Sequence, residues 1–497
     1  MLRHNTLFLS LVLLSCGALL INNGIEFHIV NFINNFFNLH LDIEFRCYGL
    51  FYCGILLIIL SLIAVLFFLL QKGIIRQRQF YILSSSAVII FYFFFLLKDA
   101  VNVPITDDFR VLKFLAQYAN CHSFSGQLQL LLQPMRISAM REVPKLYLIT
   151  LIKIFGAINF KWLIWINGLV LLAVCGLLFN FFSYSSTEKN AFASWQKELL
   201  LLAFLFILLQ FQSFDTAFWT ISGIASYWTI LFTLLAIQAA GGNSRSGFAL
   251  SVLFSLLASF TQGNGLVAFP VCAVLFYLQG HKKQALGMLL SLLITYILYM
   301  LTSPYPTDMA KWEFNLFGIL IFAAGFLGSS MQFMYVMYLP VATGFICLGV
   351  FIYATVKKYY LRNRFIYATL LFVIMTAFVT APMRLSSGPL MSRYGIYSSA
   401  AVVLCIIVCV EIFWKKNIEN PNFKVQVSRL ILLCAIGYNF LSGFMFYPEV
   451  PIRKVKLQNF VSDWKNGRPI TYKGPVIIDG ACNYLDAAVK TGVWHDE

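Results

Sequence analysis

Apolar runs of about 17–25 residues, the length that carries a helix across a hydrocarbon core, recur from residue 6 to residue 446 with short polar turns between them. They lie near 6–22, 47–71, 80–97, 161–182, 198–213, 219–240, 248–260, 266–280, 285–302, 337–356, 365–383, 396–414 and 430–446. Strands in lipid would need alternating segments of ~10 residues, and the chain has none. The pattern predicts an all-α polytopic membrane protein of about thirteen transmembrane helices, some of them short for a full crossing, so that 198–280 is open to tight hairpins or tilted helices. The first run follows Arg3 and His4 and lacks a clean small-residue cleavage site, so it is expected to be retained as a helix. The stretch 314–332, interrupted by Gly325, Gly328, Ser329 and Ser330, is expected to be re-entrant or to lie on the surface.

Two segments break the pattern, residues 98–160 and 447–497. In the first, DDFRVLKFLAQY from Asp107 to Tyr118 places Arg110, Lys113 and Gln117 on one side of a helix. Val111, Phe114, Leu115 and Tyr118 fall on the other. The later run PKLYLITLIKIFG is too short to span and is suited to the interface, with Lys145 and Lys153 raised toward headgroups. This loop is therefore expected to sit on the membrane surface through amphipathic helices. In the second segment KLQNFVSDWKNG reads as a helix, YKGPVIID as a short strand and YLDAAVKTGVW as a helix, a small external α/β appendix. The expected division is 1–79 as N-terminal transmembrane helices, 80–446 as a transmembrane core bearing the external loop 98–160, and 447–497 as the external C-terminal segment.

A content of 60% hydrophobic and 11% charged residues over 497 positions excludes a soluble globular domain. The net charge of +16 comes from Lys and Arg clustered between apolar spans, not along one soluble face, so no nucleic-acid partner is expected. One set of alternate loops holds clusters such as Lys72, Arg76 and Arg78, Lys282 and Lys283, or Lys357, Lys358, Arg362 and Arg364. The opposite short loops hold Arg46, Lys311, Arg384 and Arg393. That asymmetry predicts a cytoplasmic N-terminus and puts the two long segments and the C-terminus on the opposite face. The eleven cysteines include no CxxC pair and mostly fall inside apolar runs, which argues against a thiolate metal site. Cys121 and Cys482 both fall outside; a disulfide and two free thiols are both open to them.

The external face collects the residues that could do chemistry. Adjacent carboxylates at Asp107 and Asp108 repel, which tends to raise one pKa toward the range of a general base, although an Asp at a helix start is also an ordinary N-cap. SSGPLMSRYGIYSS puts Arg393 and Tyr394 at a span end near Arg384, where guanidinium groups could hold a phosphate or simply anchor the interface. The turn SFTQGNGL, with Asn264, could approach a ligand or merely close a hairpin. Asp215, with Trp219, Tyr227 and Trp228, and Asp308 add outer-face acids and aromatics, the latter expected as belt residues. One topology thus gathers Asp107, Asp108, Arg141, Glu142, Lys145, Asp215, Asn264, Asp308, Arg384 and Arg393 on one side. A cleft for an amphipathic substrate, tail between helices and polar head above, would need this mix.

The pieces ITDDFR, MREVPKLY, QSFDTAFW, SFTQGNGLVAFP and SRY, in this order and topology over residues 80–446, resemble the GT-C class of membrane glycosyltransferases. Their style is similar to bacterial enzymes that decorate surface polysaccharides, including the glucosyltransferases that modify O-antigen. The resemblance implies a polyprenyl-phosphate sugar donor, a cell-surface glycan or glycolipid acceptor and the bacterial inner membrane, with the C-terminus periplasmic. It implies Asp107 or Asp108 as the catalytic carboxylate, with Arg141, Lys145, Arg384 and Arg393 as candidates to stabilise the departing phosphate. No resident cofactor is expected, and a divalent metal, which nothing in the sequence indicates, stays open. Two additional spans precede the span that ends in the DD segment, and Glu142 and Lys145 stand where many relatives carry a histidine-proline pair. The rival readings are a transporter or flippase for lipid-linked saccharides, and a polymerase or ligase in which arginines, not the DD pair, are essential. A transporter should show broken polar helices and a repeat relating two halves, which the sequence does not.

Overall fold

The computed structural model describes residues 2–37, 43–133, 141–185, 194–242, 244–302, 315–333, 338–416, 421–469 and 476–495. Among these the architecture is all-α, with no strand and an isolated parallel bridge between Ile158 and Trp494. Of the expected strand, 472–475 lie outside the described residues and 476–479 form none. Among the described residues ten helices are long and apolar enough to cross a membrane, as a multi-pass membrane protein requires. Thr6–Leu20 and Gly24–Asn31, bent by 89°, would add an eleventh as one broken span. Arg245–Thr261, Gly263–Leu278 and Leu316–Met331 are apolar but shorter, so the runs at 248–260 and 266–280 fall short of the length expected of full crossings.

The chain divides into two compact units, each drawn from three stretches. The first comprises Met1–Asp99, Glu188–Phe214 and Glu411–Val455. Within it, helices Leu2–Leu20 and Ile43–Gln71 meet at Gly17 and Gly54. A Cβ on Gly17 would stand 2.7 Å from the Gly54 carbonyl oxygen, so the crossing depends on small residues, as helix pairs in lipid commonly do. Tyr52 is buried among Phe91, Phe95, Phe211 and Tyr447, and its Oη donates to Asn439 Oδ1 at 2.8 Å. Asn439 Nδ2 in turn donates to the carbonyls of Phe206 (2.8 Å) and Leu209 (3.1 Å). The Phe206 carbonyl lies in the last turn of helix Ser194–Leu208 and the Leu209 carbonyl just beyond it, where intrahelical donors run out, and the side chain supplies what water cannot.

The second unit comprises Ala100–Thr187, Asp215–Val410 and Lys456–Glu497. Helix Asp108–Asn120 exposes Arg110, Lys113 and Gln117 and buries Val111, Leu112, Phe114 and Leu115, the two faces its spacing predicts. Its apolar face is covered by protein, not lipid: it shares one core with Leu457, Phe460, Leu485 and Trp494. Backbone ties close the same seam, from Thr106 N–H to Val476 O and from Ile158 N–H to Val493 O, both at 2.8 Å. The C-terminal residues are therefore the other half of the loop's core. Helix Glu142–Phe155 does keep an apolar face outward, with Leu146, Ile154 and Phe155 exposed, as an interfacial helix would. Lys145 does not reach outward as expected. It is 1% exposed, and its Nζ donates to the carbonyls of Leu131 (2.8 Å) and Gln133 (2.7 Å), satisfying the end of helix Phe124–Leu132.

Candidate functional site

The two adjacent carboxylates part company. Asp108 is 1% exposed; its Oδ2 accepts from the Ile105 amide (3.3 Å) and its Oδ1 from the Ile221 amide (3.1 Å), with the Thr220 amide also bonded to it. Thr220 and Ile221 begin the span Thr220–Ala240, whose first amides have no intrahelical acceptor and whose N-terminal dipole favours an oxygen there. Asp108 therefore caps a helix far away in sequence and pins it to the loop. Burial pushes its carboxyl up to about 8 against the pull of the Ile221 and Ile105 amides, and Asp107 adds a further upward push.

Asp107 occupies the N-cap position of helix Asp108–Asn120, yet its side chain makes no capping hydrogen bond. It is half-buried and meets Arg110 Nη1 at 3.1 Å. Burial raises its carboxyl above the ordinary range, opposed by Arg110, Arg393 and Arg384 in that order. The residue before it, Thr106, has φ of +51°, the left-handed region that a β-branched residue enters only at a cost. Its amide bond to Val476 O holds that conformation and fixes how the carboxylate pair leaves the loop.

Arg393 sits in the turn Ser392–Tyr394, with its Nη2 3.0 Å from Met391 Sδ and its guanidinium 5.5 Å from the Tyr394 ring centre. Asp215 anchors this turn through its backbone, its amide donating to Ser392 Oγ at 3.1 Å, and Thr216 Oγ1 donates to Arg393 O at 3.3 Å. Arg384 ends helix Arg364–Arg384. The buried Tyr394 ring packs on Phe326, which also meets Tyr397, and Tyr397 Oη accepts from Asn264 Nδ2 at 2.9 Å. Arg141 is buried with its guanidinium 3.6 Å above the Tyr299 ring and its Nη1 donating to Thr302 O at 3.2 Å. Glu142 follows it as the first residue of helix Glu142–Phe155, where the dipole favours an acid.

The structure thus gathers Asp107, Arg384 and Arg393 into one electrostatic neighbourhood. It links Tyr394 and Asn264 through Phe326 and Tyr397, and it commits Arg141 to the Tyr299 ring and Thr302 carbonyl and Lys145 to loop carbonyls. Asp308 lies outside the described residues. Tyr227 is buried and so is an interior residue, whereas Trp228 is half-buried, its Nε1 donating to Asn167 Oδ1 at 3.1 Å while its ring packs on Tyr147. Thr106, Tyr299 and Tyr397 were not singled out by the sequence; no pattern distinguishes a tyrosine at the end of an apolar run from an interfacial anchor. Cys121 and Cys482 carry no disulfide. Among the described residues no three His, Cys, Asp or Glu side chains converge as metal ligands would. No protein-family model and no curated protein matches the chain.

Proposed function

We propose that the chain is a membrane glycosyltransferase that moves a hexose, glucose being our first choice, from a polyprenyl-phosphate donor to a surface glycan or glycolipid such as O-antigen. The setting of this reading is the bacterial inner membrane, with the site and C-terminus on the periplasmic side and the N-terminus in the cytoplasm. The observation that carries it is the division of labour at the acidic pair: Asp108 is buried and fully engaged, while Asp107 is accessible, raised in pKa and surrounded by Arg110, Arg384 and Arg393.

In this reading Asp107 takes the proton of an acceptor hydroxyl as that oxygen bonds to the anomeric carbon. The bond from that carbon to the phosphate oxygen breaks, and the phosphate leaves with the electron pair toward Arg384 and Arg393. Arg110 pairs with Asp107 at the surface, a contact weak enough for substrate to displace. The reaction releases bare polyprenyl phosphate and a glycan one sugar longer. The test is to supply polyprenyl-phosphate glucose and O-antigen polysaccharide to the protein in nanodiscs and follow both products. Stoichiometric appearance of the two supports transfer. Movement of the intact donor between leaflets, with neither product formed, would instead mark a transporter.

A further inference from the structure

Three turns of the second unit carry basic residues that the proposed reaction does not use. The turns are bonded together at two adjacent carbonyls: Arg364 Nη2 donates to Gly241 O at 2.9 Å and Gln279 Nε2 to Ala240 O at 3.4 Å. The turn after Ala240 is thereby tied to the turn before helix Lys282–Leu301 on one side and to the turn before helix Arg364–Arg384 on the other. The second tie is close, since a Cβ on Gly241 would stand 2.2 Å from the Phe365 ring. Asn363 Nδ2 adds the end of helix Phe160–Ser185, donating to Phe181 O at 3.1 Å. Arg245, Lys282, Lys283, Lys357 and Lys358, within or beside these turns, are all exposed. Helix Arg364–Arg384 has 21 residues, about 30 Å at 1.5 Å per residue, which sets the turns a full span away from Arg384.

The charge gathered here is uncompensated within its own elements. Residues 160–187, 216–307 and 314–410, the stretches that supply these turns and their helices, contain no Asp or Glu. Like charges repel, so turns that tertiary bonds hold together in this way favour an anionic partner. A topology signal needs only basic residues in their loops; it needs neither their convergence nor the lack of acids around them. The turn after Val356 also projects its charge: Lys358 has φ of +52°, in the sparsely populated left-handed region, Tyr359 beside it is buried, and Leu361 is 72% exposed. Apolar surface continues from both lysine pairs along their helices. Leu286, Leu289 and Leu290 follow Lys282 and Lys283, Ile352 and Val356 precede Lys357 and Lys358, and all five are exposed. Cations at the rim with apolar side chains along the span match a phosphate head carried on hydrocarbon tails, whereas a soluble anion would use only the rim. We propose that this end of the second unit binds the phosphodiester headgroups of anionic phospholipids. The proposal is independent of the transferase reading.

Leu361 offers a local reporter position. In Leu361→Trp, reconstituted in phosphatidylcholine nanodiscs, the fluorescence added by the new indole should be quenched by chain-brominated phosphatidylglycerol at about one-fifth the mole fraction that brominated phosphatidylcholine requires. Fivefold is the worth of one basic residue at an anionic surface. The preference should shrink in about 0.5 M salt, where screening is short-ranged. It should fall by at least half when Lys357→Gln and Lys358→Gln are added, with Arg364 kept because it bonds the turn to Gly241. Equal quenching by the two lipids in Leu361→Trp overturns the proposal whatever the lysine variants do. So does a preference that survives both lysine substitutions. A preference abolished by millimolar inorganic phosphate at constant ionic strength would mark a site for a soluble anion and would also overturn it.

Discussion

Asp108 joins two segments more than a hundred residues apart through amide bonds, and its behaviour should be that of a structural residue. Asp108→Asn replaces one acceptor oxygen by a donor that would face an amide N–H, so unfolding in detergent should become easier by about 1–3 kcal/mol. The pH dependence has a defined sign. The folded carboxyl holds its proton up to about 8 whereas the reference value is 3.8, so the folded state binds the proton more tightly and stability falls as pH rises between those values. Thermal midpoints measured across that window should slope downward in wild type and lose that slope in Asp108→Asn. Thr106 offers a test of opposite direction. Asn enters the left-handed region more readily than a β-branched residue, so Thr106→Asn should leave the fold intact and raise the unfolding free energy by up to about 1 kcal/mol.

At the scale of elements, Lys145 ties helix Glu142–Phe155 to the end of helix Phe124–Leu132 through two carbonyls. Lys145→Met keeps the stem and removes both bonds, so amide hydrogen exchange over residues 124–133 should speed up while exchange in helix Asp108–Asn120 stays slow. An unchanged exchange pattern would mean that packing on Phe114 suffices. The loop helices show how far spacing carries. The polar and apolar faces of Asp108–Asn120 were legible because 3.6-residue periodicity is local. What covers the apolar face was not: the same stripe suits a bilayer or a protein core, and here Leu485 and Trp494, more than 350 positions later, cover it. Lys145 was misplaced for the same reason, since a lysine flanked by apolar residues reads as raised toward headgroups until its carbonyl partners are seen. The acidic pair was visible in sequence, but its split into a buried lock and an accessible carboxylate rests on Thr220 and Ile221, which nothing local connects to it.

For the molecule as a whole, apolar run lengths revealed a multi-pass helical membrane protein, and where the structure departs from them, it does so at bends and short helices that hydropathy averages over. The C-terminal residues 476–495 complete the core beneath the acidic pair, so weakening them should act at a distance. Trp494 is wholly buried, and Trp494→Ala should cost about 3–5 kcal/mol of that core's stability, read as proteolytic opening of the loop between residues 100 and 133. The central claim, that Asp107 is the base and Asp108 its support, is tested most directly by sugar transfer from polyprenyl-phosphate glucose to O-antigen polysaccharide with folded wild type, Asp107→Asn and Asp108→Asn in nanodiscs. The account predicts that Asp107→Asn binds donor normally and loses transfer by at least about a hundredfold. Asp108→Asn should retain measurable transfer at temperatures where it stays folded. Full transfer by Asp107→Asn would contradict the account.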